Sequence, residues 1–378
     1  MSSRELPDAT FDDLYREIIE PGYCYACGGC SSICPVYVIE FHENHPKFSG
    51  KWPSLVGECI DCGACLQACP SYWDRVHGEN DDNKFIGSFH ETEDGKPAML
   101  LAYASDDTLR KAGQSGGVVT AILLAAQKTG LIGSGIALVE KETYTKIDSL
   151  AAREPDELIK GAGSKFVSFP SVEGILKLRT SWDESESSVF VGVPCMIKSM
   201  NWMQKVRTDR LDRTCTTIGL LCTTIFHTHK LRKFLLEQGI DIDQQVRRMA
   251  VRAGILHLTL KDGSAKKMPI GPVDDAAARE GCRYCLDFAA ETADLAVGEI
   301  GVPDGTSFVF IRTPRGQLLF ETALEMNAIM VNEFPEETMR RILRVNRYKK
   351  KRKAPPPLKP FPGPLWKPIR EDLHPGQN

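Results

Sequence analysis

The sequence predicts a two-part chain of mixed α/β (α+β) class, with a small cysteine-rich unit ahead of a larger domain. Three observations predict it. Eight of the 13 cysteines fall between Cys24 and Cys69, in two copies of one spacing. From residue 98 to residue 345, short apolar runs alternate with helical patterns. No G-x-G-x-x-G motif follows any of those runs, so the larger domain carries no Rossmann fingerprint. The expected division is an N-terminal helix over 1–20, the cysteine-rich unit over 21–75, a linker over 76–97, the larger domain over 98–345 and a basic, proline-rich tail over 346–378. A chain of 378 residues accommodates both units.

Residues 10–20, TFDDLYREIIE, read as a capped helix. Thr10 precedes two acids, Leu14, Ile18 and Ile19 share a face, and Pro21-Gly22 ends it. The chain then enters CYACGGCSSICP and, after a polar connector, CIDCGACLQACP. Each is C-x2-C-x2-C-x3-C-P, the run that bacterial-type ferredoxins use for [4Fe–4S] clusters. Three thiolates on a tight loop reach three irons of one cube, and the fourth turns away to the other cluster. Cys24, Cys27, Cys30 and Cys69 form one predicted ligand set, and Cys59, Cys62, Cys65 and Cys34 the second. Gly28, Gly29 and Gly63 give the loops room, and Pro35 and Pro70 carry the chain away. Zinc knuckles are the plainer alternative. Zinc, however, takes four ligands from paired C-x2-C units and has no use for a third cysteine at this spacing.

After Pro70, SYWDRVHGENDDNK reads as a polar connector, with Tyr72 and Trp73 packed against the cysteine-rich unit. The larger domain opens with a strand, AMLLAYAS (98–105), and a polar helix, DDTLRKAG. A second helix carries Val118, Ile122, Leu123 and Ala126 at helical spacing and stops at Gly130. GIALV, SVFVGVP (188–194) and TTIGLLC (216–222) are further strands. The apolar stretch Gly117–Ala126 is too short to span a bilayer before Gln127 and Lys128 interrupt it. The N-terminus shows no basic segment followed by an apolar one, so a cytoplasmic location is expected. A net charge of −3 gives no global pull toward nucleic acid.

Five cysteines remain. Cys195 ends a strand in GVPCM, Cys222 lies in GLLCTT, and Cys282 and Cys285 form a C-x2-C pair. The pair alone fits a redox couple, half a zinc site or two buried thiols. With two clusters already present, four thiolates holding a third [4Fe–4S] suit a chain of electron carriers, and Cys215 is left as the spare.

Clusters move one electron at a time whereas organic hydride donors give two, so a converter is needed, and a flavin is the usual one. Ser115-Gly116-Gly117 at a helix N-terminus offers free backbone N–H groups to a pyrophosphate. The loop GAGSKF (161–166) adds Ser164 and Lys165. An ordinary turn is the default for each. Residues 113–117 also match the G-x-S-x-G elbow of hydrolases, but that elbow follows a buried strand and here the preceding segment is polar and helical. RYKKKRK (347–353) and the prolines beyond it read as a solvated arm that docks on a partner subunit through Phe361, Leu365 and Trp366. Nucleic acid or an acidic membrane surface is the less favoured reading of the basic run.

GQSGGVVTAIL, GAGSKF, VFVGVPCMI, GLLC, CRYCLD and ADLAVGEIG, in this order behind two ferredoxin motifs, resemble the beta subunits of the coenzyme F420 hydrogenase and dehydrogenase family. The resemblance covers roughly residues 20–315. It implies FAD in the larger domain, contacted by Ser115, Gly116, Gly117, Thr120, Gly163, Ser164 and Lys165, with coenzyme F420 as substrate. It also implies that Cys195, Cys222, Cys282 and Cys285 hold a flavin-proximal cluster. Hydride passes between the deazaflavin and FAD, and electrons leave singly through the clusters, in either direction. No acid–base residue is required; Lys165 and Arg312 are candidates for tuning charge near the flavin. Implied partners are other subunits of a redox complex of hydrogenase, F420H2 dehydrogenase or heterodisulfide reductase type. The tail after Val345 has no counterpart in the family. Within it, a ferredoxin or a tetrapyrrole is the alternative substrate, and an electron-transfer adaptor the alternative role.

Overall fold

The computed structural model describes residues 9–43, 45–78, 98–179, 187–206 and 215–361. The capping box expected at Thr10 forms: its hydroxyl accepts from Asp13 N, and Asp13 accepts from Thr10 N. The helix starts at Phe11–Leu14 and continues as a π turn over Tyr15–Ile19. Its buried face, Phe11, Leu14, Ile18 and Ile19, packs on the cysteine loops. Two short helices, Gly29–Ile33 and Ala64–Gln67, each carry the third cysteine of one copy, and a hairpin of β1 (Ile39–His42) and β2 (Trp52–Leu55) lies between them.

The connector expected after Pro70 is instead a helix, Pro70–His77. Pro70 occupies its first turn, where the missing N–H is harmless. Its polar composition hid a buried face of Tyr72 and Arg75. Of the linker expected over 76–97, residues 79–97 lie outside the described residues.

The larger domain holds an eight-stranded sheet. Its strands are β3 (Met99–Ala104), β4 (Ser134–Glu140), β5 (Ile147–Ala152), β6 (Ser188–Gly192), β7 (Cys215–Leu220), β11 (Leu295–Gly298), β12 (Ser307–Ile311) and β13 (Ile329–Asn332). They run in the order β13-β3-β12-β11-β7-β6-β4-β5. β4, β6, β7 and β11 pair in parallel, and the flanking pairs are antiparallel. Because successive side chains point to opposite faces, Val189, Val309 and Ile311 enter one core with the helices Val118–Lys128 and Pro314–Glu325. Phe190, Phe308 and Phe310 enter the other, shared with Tyr25, Cys27, Ile33, Ala64 and Ala68 of the N-terminal unit. The cysteine-rich unit is therefore part of the second layer over the sheet. Burying each of those phenylalanines stabilises the layer by about 1.5–3 kcal/mol.

A separate antiparallel meander of β8 (Val246–Arg252), β9 (Ile255–Leu260) and β10 (Ala265–Pro269) packs with the helices Thr228–Glu237 and Ile270–Ala277 around its own core. The helix Glu336–Lys350 runs through the expected domain boundary at 345/346 and buries Thr338, Ile342, Asn346 and Lys349 on one face. Beyond it the proline-rich segment is extended, as expected, but it lies on this chain's own N-terminal unit. Arg75 Nε donates to Pro356 O at 2.7 Å, Leu358 N donates to Arg75 O at 3.0 Å, and Phe361 N donates to Tyr72 Oη at 3.2 Å. Residues 346–361 are thus not a free docking arm. Prolines leave carbonyls with no internal donor, and the buried Arg75 supplies one. Leu365 and Trp366 lie outside the described residues. No helix among the described residues is long and apolar enough to cross a membrane.

Candidate functional site

The two cysteine loops repeat one backbone solution. Ala26 and Asp61, between the first and second cysteines, have φ 55° and 52°, and Gly28 and Gly63, after the second, have φ 95° and 69°. In this left-handed region each loop turns its amides inward: Ala26 N lies 3.3 Å from Cys24 Sγ and Asp61 N 3.4 Å from Cys59 Sγ. One cavity in this unit is lined by Cys24, Cys27, Cys30 and Cys69. Another is lined by Cys34, Cys59, Cys62 and Cys65. These are the two crossed sets expected from the spacing.

A zinc site would draw four thiolates onto one ion at about 2.3 Å. Here four cysteines ring each cavity, an arrangement that fits a cubane. Burial pushes Cys27 up to about 11 and raises Cys30, Cys62, Cys65 and Cys69, with neighbouring thiols adding to the shift. Bound iron reverses this preference by stabilising thiolate.

The third set comes from three places. Cys195 opens the helix Pro194–Val206, Cys222 follows β7, Cys282 lies within a tight turn over Glu280–Arg283 and Cys285 follows that turn. Their charges bear on one another: Cys195 feels Cys285, Cys282 and Cys222, and Cys222 feels Cys282 and Cys285. Burial drives Cys222 up to about 12 and Cys195 well above its ordinary value. Cys215 stands apart in β7, also pushed up by burial to about 12.

The three sets adjoin: Cys27 of the first lies in one core with Cys195, Cys282 and Cys285, and Cys24 and Cys30 lie in another with Cys34 and Cys65. Cys27 is the strongest thiol influence on Cys195, and Gly281 sits so close to Cys24 O that no Cβ fits there. Cys65 in turn bears on Cys30. Each set has a part-buried member: Cys59 and Cys62 in the second, Cys69 in the first and Cys222 in the third.

The loops expected to hold the flavin also meet. Gln114 accepts from Ser164 N at 3.3 Å and donates to Met249 O at 2.9 Å, which places Ser115–Gly117 beside Gly163–Lys165. Gly117, at φ 69°, caps the helix Val118–Lys128 without a side-chain cap, leaving its first N–H groups for an anion. Gly116 lets this loop pass β3 and β12, since a Cβ would lie 2.9 Å from Ala102 O and from Ser307 N. Ser115 Oγ donates to Thr306 O, Thr120 is buried, and Lys165 Nζ caps the carbonyls of Gly161, Ala162 and Gly163 at 2.7–3.0 Å. Burial lowers Lys165 to about 8. Arg312 is buried over the Phe310 ring and donates to Ala289 O at 2.9 Å, on the third set's side.

Three cations escaped the sequence reading. Arg279 is buried on Trp52 and donates to Cys24 O at 3.2 Å; its Nη2 has no hydrogen-bond partner among the described residues, a spare donor beside the first set. Lys198 pairs with Asp74 at 2.9 Å. Lys349 faces inward, and its signal was the buried stripe Thr338, Ile342, Asn346, Lys349 at helical spacing.

Fold and cysteine sets define an iron–sulfur protein whose cysteine-rich unit is built into the second layer over a mixed α/β sheet. Residues 23–73 match the 4Fe-4S dicluster domain model. Residues 99–175 and 185–337 match the N-terminal and C-terminal models of the coenzyme F420 hydrogenase/dehydrogenase beta subunit, and the chain belongs to that family. It is 30% identical over 350 residues to a coenzyme F420-dependent sulfite reductase of Methanocaldococcus jannaschii, spanning 89% of this chain and 51% of that protein. It is 24% identical over 320 residues to one subunit of the F420H2 dehydrogenase of Methanosarcina mazei, spanning 84% and 87%. A chain of the F420-reducing [NiFe] hydrogenase complex from Methanosarcina barkeri shares the fold, with TM-score 0.65 at 21% identity, covering 71% of this chain and 91% of that one.

Proposed function

We propose that this chain is an oxidoreductase subunit that exchanges hydride between coenzyme F420 and FAD and passes electrons singly through three [4Fe–4S] clusters to other subunits of a redox complex. The observation that carries the proposal is the row of three adjoining thiolate sets, from the larger domain's own cysteines through the first set to the second. A lone redox cofactor needs no such row. The names of the M. jannaschii and M. mazei relatives support F420 as the substrate.

FAD, when bound, supplies the conversion between two-electron and one-electron chemistry. The chain's own part is to bind, orient and keep water out. The uncapped N–H groups at Val118–Thr120 would take the pyrophosphate, and Gly116 and Gly163 would let the backbone approach it. Ser115 and Lys165 hold the shape of the two loops from which they would reach the cofactor. Cys24, Cys27, Cys30 and Cys69 would hold one cluster, Cys34, Cys59, Cys62 and Cys65 the next, and Cys195, Cys222, Cys282 and Cys285 the one nearest the flavin. The phenylalanine layer of the sheet keeps that last site dry.

Mixing the anaerobically purified protein with reduced F420 and an artificial acceptor tests this. Return of the oxidised deazaflavin absorbance is expected. No oxidation with any acceptor would reject the proposal.

A further inference from the structure

Two cations of the basic run at the end of the last helix, Lys349 and Arg352, point toward the third cysteine set, while Arg347, Lys351 and Lys353 are exposed. Lys349 is 2% exposed, and its ammonium donates to Cys222 O at 2.6 Å and Asp287 O at 2.7 Å. Arg352, one turn on, donates through Nη1 to Thr223 O at 2.9 Å and Cys282 O at 2.7 Å. Two cations from one helix end therefore hold the segments that carry Cys222, Cys282 and Cys285. The carboxylates close by are Glu291, which pairs with Lys350 at 2.9 Å, and Asp287, which lies 3.9 Å from Lys198 and whose charge also bears on Lys349. Both hydrogen bonds of Lys349 end on backbone carbonyls, so no carboxylate among the described residues balances its charge through a hydrogen bond.

We infer that Lys349 and Arg352 form a cationic clasp belonging to the third cysteine site: it closes the three loops on the site and raises the reduction potential of the cluster held there. The inference rests on the third cluster in the proposed function. Four thiolates around a cubane carry net negative charge, and one more electron makes it more negative. A fixed positive charge in a low-dielectric wall favours the reduced form. The same segment continues as the strap that Arg75 holds on the N-terminal unit, so the clasp ties this site to the unit carrying the other two. Lys349 is a positioning residue; it supplies no ligand.

The test is an iron assay and an EPR-monitored redox titration of the full chain, purified anaerobically as wild type, Lys349→Met and Lys349→Arg. Wild type should hold about twelve irons, four per cubane. In Lys349→Met one of the three midpoints should move to lower potential while the other two stay, and Lys349→Arg should restore it. Loss of about four irons with the two ferredoxin-type signals intact also supports the clasp. Full iron with three unmoved midpoints, or one equal shift of all three, overturns it. Arg352→Gln, at a part-exposed position, carries the same test if Lys349→Met does not fold. A wild-type content of about eight irons would instead remove the third cluster itself and the inference with it.

Discussion

Replacing Lys198 by methionine tests the joint between the first and third cysteine sets. Its ammonium lies 2.9 Å from Asp74 Oδ1 and 3.9 Å from Asp287 Oδ2, and the Lys198 and Asp74 side chains are each 12% exposed. Asp74 also accepts from Tyr25 Oη at 3.0 Å. Lys198 follows Cys195 on its helix, Asp74 follows Cys69, and Asp287 follows Cys285. Although burial opposes the charge, Asp74 and Asp287 hold Lys198 well above the ordinary lysine value, so it is charged at any working pH. Methionine fills the stem but leaves the buried Asp74 without its counter-charge, whereas Asp287 keeps the influence of Arg312 and Lys349. Breaking a buried pair this way costs about 3–5 kcal/mol, and the residual exposure brings it to the lower end, about 3 kcal/mol. Asp74→Asn should cost only about 1–2 kcal/mol, because Tyr25 still donates to the amide oxygen and Lys198 keeps Asp287. The double variant should then be less destabilised than the sum by about 1–2 kcal/mol. Trp73, beside Asp74, and Trp202, one turn past Lys198, stack at 4.1 Å and 15° across the same joint. Their exciton circular dichroism during an anaerobic guanidinium titration therefore reports on it directly. Strict additivity, or a Lys198→Met effect below about 0.5 kcal/mol, would refute the electrostatic reasoning.

Three further outcomes are expected. Gly28→Ala combines a φ of 95° with a Cβ 2.7 Å from Pro170 O of the larger domain, whereas Gly78→Ala combines a φ of 65° with open space. Thermal melts should show a loss of about 1 kcal/mol for Gly78→Ala, and at least twice that with iron loss for Gly28→Ala. Burial holds Lys165 at about 8 in the folded chain, below the free-lysine value of about 10.4. Between those two values the unfolded chain binds more protons, so thermal stability should rise with pH across that window and flatten in Lys165→Met. Cys215→Ala should keep all iron by colorimetric assay and lose about 1 kcal/mol of packing, whereas Cys222→Ala should lose the iron of one cluster.

Much of this molecule was legible because iron–sulfur loops and buried strands write themselves locally. The spacing C-x2-C-x2-C-x3-C predicts the crossed partnership of Cys34 and Cys69, and the two cavities carry those crossed sets. The β3, β6 and β7 runs were apolar enough to place. The meander of β8, β9 and β10 was missed although Asp262-Gly263, the strongest short hairpin signal, sits between β9 and β10. The adjacent basic pairs Arg247-Arg248 in β8 and Lys266-Lys267 in β10 mask the period of those two strands. Helix Pro70–His77 was hidden by its charges, since only Tyr72 and Arg75 reveal the inner face. The inward turn of Lys349 and Arg352 was the hardest to see. A run of six cations among seven residues from Arg347 to Lys353 reads as solvated by composition, and only the helical register of the preceding stripe separates the buried one. The hydrogen bond of Arg312 to Ala289 O depends on a fold-level approach that no local pattern encodes.

The most direct measurement of the central claim is the iron, acid-labile sulfide and FAD content of the anaerobically purified chain. About twelve irons, about twelve sulfides and one FAD per chain are predicted. About two zincs with no sulfide would contradict the claim that this chain conducts electrons.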